Sequence, residues 1–275
     1  MTTRRRLLAA LPALSLAACG TPRTGGRADG PVQDLTVATF NIWHDQGDWP
    51  ARLPLIETTL RATEADVIGL QEVLQDGATL PNQARTLADR LGMQMVFSSV
   101  DAEDQPRRYG NALLTRLPIL DYDWVKLEPL DDYRTAQRIR CRRADGTVID
   151  IANTHFHHTA EGGAIRARQI AHLLDWLPDD GTPLILMGDL NAPLDNPEMA
   201  PLRARFSEAL RTLYPDQADR TTLNTALGHR SVQIDHILYE AAAFTPVEAA
   251  IIGDQPVGEV WPSDHFAKMA RFRTV

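Results

Sequence analysis

Leu184-Ile185-Leu186-Met187-Gly188-Asp189-Leu190-Asn191-Ala192-Pro193 is an apolar run that ends in a carboxylate, a carboxamide and a turn-forming proline. Four apolar residues followed by Gly188 read as a buried strand, with Asp189 and Asn191 where that strand leaves its sheet. A strand-to-loop turn capped by Asp189 or Asn191 would use the same residues. Repetition separates the two readings: other apolar runs of this chain also end in, or begin just after, a metal-binding or acid-base residue.

Toward the N-terminus, residues 148–158 form a strand whose exit carries His155, His157 and His158. Strand alternation puts His155 and His157 on one face and turns His158 away, and three histidines at a strand exit point to metal or acid-base work. Residues 66–73 make a buried strand ending in Glu72, a carboxylate costly to bury unless paired or bound to a cation. Residues 35–43 alternate as a strand interrupted at its far end by Asn41. Helical spacing covers 52–63, 79–91 and 164–177; strands are expected at 93–100 and 109–119, with a polar loop at 102–108. Asn111 suits either a substrate donor or a loop tie. Arg138, Arg140 and Arg142 alternate like the solvated face of an edge strand rather than a phosphate groove.

Toward the C-terminus, a helix is expected over 197–213 and a strand over 232–239, with Asp235 where apolar packing would be normal. The last strand opens on adjacent Asp264 and His265. An inward acid on one strand and an Asp-His pair opening the next is a strong combination, because a buried carboxylate fixes an imidazole's tautomer and raises its basicity. The alternation of strands and helices by itself gives α/β or α+β.

The chain has 275 residues, a formal net charge of −8 and two cysteines. Residues 1–18 combine basic Arg4, Arg5 and Arg6 with a short apolar stretch and read as a signal peptide. Leu16-Ala17-Ala18-Cys19 resembles a bacterial lipoprotein box, and Thr3-Arg4-Arg5 a twin-arginine signal. Residues 19–33 are then a lipidated N-terminus and flexible tether, and 34–275 one folded domain. The expected location is that of an exported bacterial lipoprotein, anchored in the membrane through Cys19. With Cys19 so assigned, Cys141 stands alone and a disulfide framework is excluded. The acidic balance argues against a nonspecific duplex-DNA binder, which relies on a basic surface.

Thr39-Phe40-Asn41, Leu70-Gln71-Glu72-Val73, Gly110-Asn111-Ala112, Asn153-Thr154-His155, Gly188-Asp189-Leu190-Asn191, Ile234-Asp235-His236-Ile237 and Ser263-Asp264-His265 occur in that order. Together they resemble the endonuclease/exonuclease/phosphatase superfamily, the deoxyribonuclease-like metallophosphoesterases. The resemblance implies a four-layer α/β sandwich with two mixed sheets face to face and helices outside. It implies that Glu72 is the principal ligand of Mg²⁺ or Mn²⁺, with Asn41 beside it and Asp264 completing the site. It makes Asp189 the general base and sets Asn191 to hold the attacking water or a phosphoryl oxygen. His155 and His265 become donors to the non-bridging oxygens, with Asp235 orienting His265. The expected reaction is in-line attack of water on a phosphodiester or phosphomonoester, on a small or lipid-linked substrate, by a monomer. Nucleic acid ranks second as substrate, and a non-catalytic binding lipoprotein on the same scaffold last. The stretch 121–135 departs from a nuclease pattern, holding Asp121, Asp123, Glu128, Asp131 and Asp132 where a basic or aromatic DNA-contact loop would be expected.

Overall fold

The structure is a computed structural model that describes residues 34–77 and 79–275. The expected signal peptide, tether and Cys19 lie outside the described residues. Twelve strands form two mixed sheets of six. In the first sheet, β11 (Phe244–Ile252), β12 (Ala267–Thr274), β1 (Leu35–Asn41), β2 (Val67–Asp76), β4 (Arg107–Thr115) and β3 (Gln94–Ser99) lie in that order. In the second, β5 (Ile119–Lys126), β6 (Thr135–Arg142), β7 (Val148–His155), β8 (Leu184–Asp189), β10 (Asp235–Tyr239) and β9 (Ser207–Glu208) do the same. The central pairs β1/β2 and β7/β8 are parallel, and their neighbours run antiparallel.

Strand alternation builds the layers. Val37, Val67, Leu113, Ile151, Ile185 and Met187 meet between the sheets. Their sequence neighbours Ala38 and Ile68 face the other way, onto Ile56 and Leu60 of α1 (Trp49–Ala62) and Leu87 of α2 (Gln83–Leu91). Leu184 and Leu186 likewise pack on Ile170 and Leu173 of α3 (Gly163–Trp176) and on Leu202 of α4 (Ala200–Arg205). Three cores at three interfaces make the four-layer α/β sandwich. Asp48 and Asn82 cap α1 and α2 through their side chains, and Gly92 closes α2 in the left-handed region.

Several elements differ from expectation for non-local reasons. The expected helix over 197–213 is interrupted: Ser207 and Glu208 pair with Tyr239 and Leu238, and α5 (Ala209–Leu213) starts after them. β11 has no counterpart in the sequence reading. The arginines of β6 are not a solvated face, because β6 lies inside its sheet and Asp150 of β7 sits opposite. Arg138 Nη1 and Arg140 Nη2 reach that fully buried carboxylate at 3.0 and 2.7 Å, leaving only Arg142 exposed.

Candidate active site

Parallel pairing brings the polar strand ends to one rim. β1 ends on Asn41, β7 on His155 and β8 on Asp189, and antiparallel β10 begins there on Asp235. Register sets His155 and Asp235 on either side of Asp189. The close approach of β7 and β8 needs Gly188, at φ 144°, since a Cβ there would lie 1.9 Å from the Thr154 carbonyl oxygen. Glu72 enters from β2 through a register shift between Leu70 and Val73, where its own φ is +58°. A bulge of this kind re-aims a side chain, here toward the cleft. Asp264 and His265 lie just before β12, with His265 bridged to Leu223.

Asp189 is the focus. Asn41 Nδ2 donates to its Oδ2 at 3.1 Å, His155 Nε2 lies 3.3 Å and His265 Nε2 3.8 Å from that oxygen, and the Asn191 amide donates to Oδ1 at 2.9 Å. Burial works to raise this carboxylate, yet the two imidazoles and the Asn41 bond outweigh it and hold Asp189 below the ordinary range. On the far side, His265 Nδ1 meets Asp235 Oδ2 at 2.9 Å. Burial lowers His265, but the charges of Asp235 and Asp189 lift it well above the ordinary imidazole value. Burial holds Asp235 up against the pull of His265. Asp189, Asp235 and His265 offer atoms within 4.8 Å of one another. His265 is hydrogen-bonded to Asp235 and stands 3.8 Å from Asp189, so this row suits a proton rather than a metal ion.

The carboxylates that suit a hard cation lie beside this row. Glu72 and Asp264 line one cleft of about 660 Å³ together with Asp189, Asn191, His155 and His265. Burial raises Asp264 and the charge of Glu72 raises it further, a repulsion that a divalent ion would relieve. Oxygen donors without thiolate fit Mg²⁺ or Mn²⁺. Asn41 stands differently from the expected oxygen ligand. Its Oδ1 accepts from the Trp43 amide at 3.0 Å while its Nδ2 bridges Glu72 and Asp189, so here it is a donor between two acids. Asn191 spends a side-chain N–H on the Phe156 carbonyl oxygen at 2.9 Å, which ties the loop after β7 to Asp189.

Residues 38–265 match the model of the Endonuclease/Exonuclease/phosphatase family. The chain belongs to that family. No curated protein matches the sequence. Among solved structures, the fold is similar to the human Nocturnin catalytic domain with bound sulfate anion, at TM-score 0.73 and 22% identity over 88% of this chain and 95% of that one. It is similar to D. rerio TDP2 complexed with single-strand DNA product, at TM-score 0.72 and 18% identity over 88% and 99%. A mannosyl-6-phosphatase of Bacteroides thetaiotaomicron gives TM-score 0.69 and 18% identity over 86% and 99%.

In this member of the Endonuclease/Exonuclease/phosphatase family the structure also supplies cleft residues that the sequence reading left out. His44, Arg107, Tyr109, Tyr133, Arg134 and Arg230 are among those that line the cleft. The strand alternation expected for the histidines fails because β7 stops at His155. It is His158 that shares the cleft, while His157 turns to Asp132 at 2.9 Å and Thr159 at 3.0 Å. Asn111 ties strand to strand rather than a loop, donating from β4 to the Thr135 hydroxyl of β6 at 2.9 Å. Asp132, one of the acids of the 121–135 stretch, accepts from Gln169 as well and anchors the segment that carries Tyr133 and Arg134.

Proposed function

We propose that this protein is a divalent-metal-dependent phosphoester hydrolase that directs water in line at a phosphodiester or phosphomonoester on a small or lipid-linked substrate. The observation that carries the reading is the buried Asp189 carboxylate, ringed by Asn41, His155 and His265 and opening on the same cleft as Glu72 and Asp264. Asp189 stays ionised through the neutral range, so it is ready to orient the attacking water and accept its proton. His265, kept protonated by Asp235, and His155 donate to phosphoryl oxygens as negative charge builds on them. Glu72 and Asp264 would hold the cation, which when bound neutralises phosphoryl charge.

Assays with bis-p-nitrophenyl phosphate and p-nitrophenyl phosphate, with Mg²⁺ or Mn²⁺ and then with excess chelator, test this. Turnover is expected only with metal. Asp189→Asn should lower kcat by roughly 10²- to 10⁴-fold with the circular dichroism spectrum unchanged. Wild-type rates from Asp189→Asn would refute the assignment.

A further inference from the structure

Two imidazoles flank Asp189, and their Nδ1 atoms have opposite kinds of partner. His265 Nδ1 faces the Asp235 carboxylate, which can only accept, so that nitrogen carries a hydrogen. His155 Nδ1 faces Arg134 Nη1 at 2.9 Å, and His158 Nδ1 faces Arg134 Nη2 at 3.3 Å. A guanidinium has no acceptor and stays charged, so both of these Nδ1 atoms must offer lone pairs. Each neutral ring then has its one hydrogen on Nε2. His155 Nε2–H points at Asp189, and His158 shares the substrate cleft.

Arg134 itself is a second, independent observation. It is buried, makes no ion pair among the described residues, packs its guanidinium 4.4 Å from the Tyr133 ring centroid, and leaves its Nε without a partner. A buried cation that lacks a counter-ion is costly unless an anion arrives to face it.

We propose that Arg134 is a positioning residue whose two arms occupy the Nδ1 lone pairs of His155 and His158, so that the β7 exit presents two uncharged Nε2–H donors to the substrate phosphate, the His155 one resting on Asp189 until phosphate arrives, with a fixed positive charge behind them. This rests on the phosphoester reading above and extends it by adding His158 as a substrate contact. The device is the inverse of the Asp235–His265 pair. There a carboxylate makes an imidazole more basic; here a guanidinium forbids the second proton and leaves a neutral donor. His158 accordingly titrates below the ordinary value, through burial and then the charge of Arg134.

The test uses the full chain with ¹⁵N-labelled histidine. Long-range ¹H–¹⁵N spectra, assigned with His155→Gln and His158→Gln, should show both rings protonated on Nε2 only. Arg134→Met should release His158 into a tautomer mixture, a change that loss of packing alone does not produce, while Asp189 still holds the His155 hydrogen on Nε2. Calorimetric binding of inorganic phosphate should weaken about tenfold in His158→Ala and at least as much in Arg134→Met, the scale of one hydrogen bond to a charged acceptor. The double variant should lose less than the product of the two, because part of the Arg134 effect runs through His158. Arg134→Lys, with charge but no fork, should recover the single His158 tautomer only in part. An Nδ1–H on either ring of the wild type would overturn the proposal, as would unchanged phosphate binding in His158→Ala. Both readouts remain if Arg134→Met does not fold. Failure of the phosphoester reading looks different: no metal-dependent turnover, with the tautomers as described.

Discussion

Asp235 shows how much one buried carboxylate controls. Its Oδ2 holds the His265 Nδ1 hydrogen at 2.9 Å. Asp235→Asn keeps the shape but removes the charge that keeps His265 protonated, and an amide can also donate to Nδ1 and reverse the ring. We expect kcat to fall roughly 10²- to 10⁴-fold with the fold retained, checked by circular dichroism and steady-state kinetics. A loss below tenfold would remove Asp235 from the machinery. Asp189 and Glu72 were legible as candidates because acids recur at the ends of apolar runs, and Asp235 because it interrupts one, a costly place for a lone carboxylate. Arg134, His44 and Tyr133 were not, since a charged or aromatic residue in a loop is ordinary and only the folded chain sets it beside His155 or Glu72. Asn41 was legible as a site residue, but which end of its amide faces the cleft depends on the Trp43 backbone, and spacing does not encode that.

Strands buried along nearly their whole length were readable, and those defined by their neighbours were not. β1, β2, β7 and β8 declare themselves as short β-rich or apolar runs buried on both faces. β11 carries Pro246 and Glu248, and its pairing with β12 shifts register at a bulge between them. β9 exists because Leu238 lies opposite Glu208. Glu208 has a second consequence at this scale. It joins the two sheets, since Lys268 of β12 donates to its Oε1 at 2.6 Å and both side chains are buried. Burial works to raise Glu208, but the Lys268 charge outweighs it and its carboxyl sits below the ordinary value. A depressed folded value means this stability is complete above the unfolded carboxyl value of about 4.3 and is lost as pH falls through the folded one. Glu208→Gln, which can still accept from the Arg211 amide, leaves Lys268 buried without its counter-charge. We expect a loss of about 3–5 kcal/mol at neutral pH by urea unfolding. The gap from wild type should close as pH drops below about 4; a gap independent of pH would show that packing, not the ion pair, is responsible.

At the scale of the whole molecule, polar ties through the central core hold the two sheets in the relation the site needs. Asn153 Nδ2 donates to the Leu70 and Ala112 carbonyl oxygens, both at 3.0 Å, and its Oδ1 accepts from Gln71 Nε2 at 2.6 Å. Asn153 and Gln71 stand in motifs of the sequence, but their work is to lock β7 against β2 and β4, so Glu72 from one sheet and Asp189 from the other keep a common cleft. The charge of the molecule then decides what reaches it. The chain is acidic overall at −8. Among the arginines lining the cleft, Arg107 is paired with Asp76, Arg134 is buried, and Arg230 is exposed. Duplex DNA binding gains from counterion release at each phosphate contacted, with a log–log salt slope near −0.9 per contact. One or two free cations support a slope no steeper than about −2, too shallow for useful affinity at roughly 0.15 M salt. A large excess of duplex DNA should therefore leave hydrolysis of bis-p-nitrophenyl phosphate unchanged at that salt, whereas inorganic phosphate should compete. Strong inhibition by DNA, steeply relieved by added salt, would mean that a basic track exists beyond the cleft mouth and would move the substrate assignment to nucleic acid.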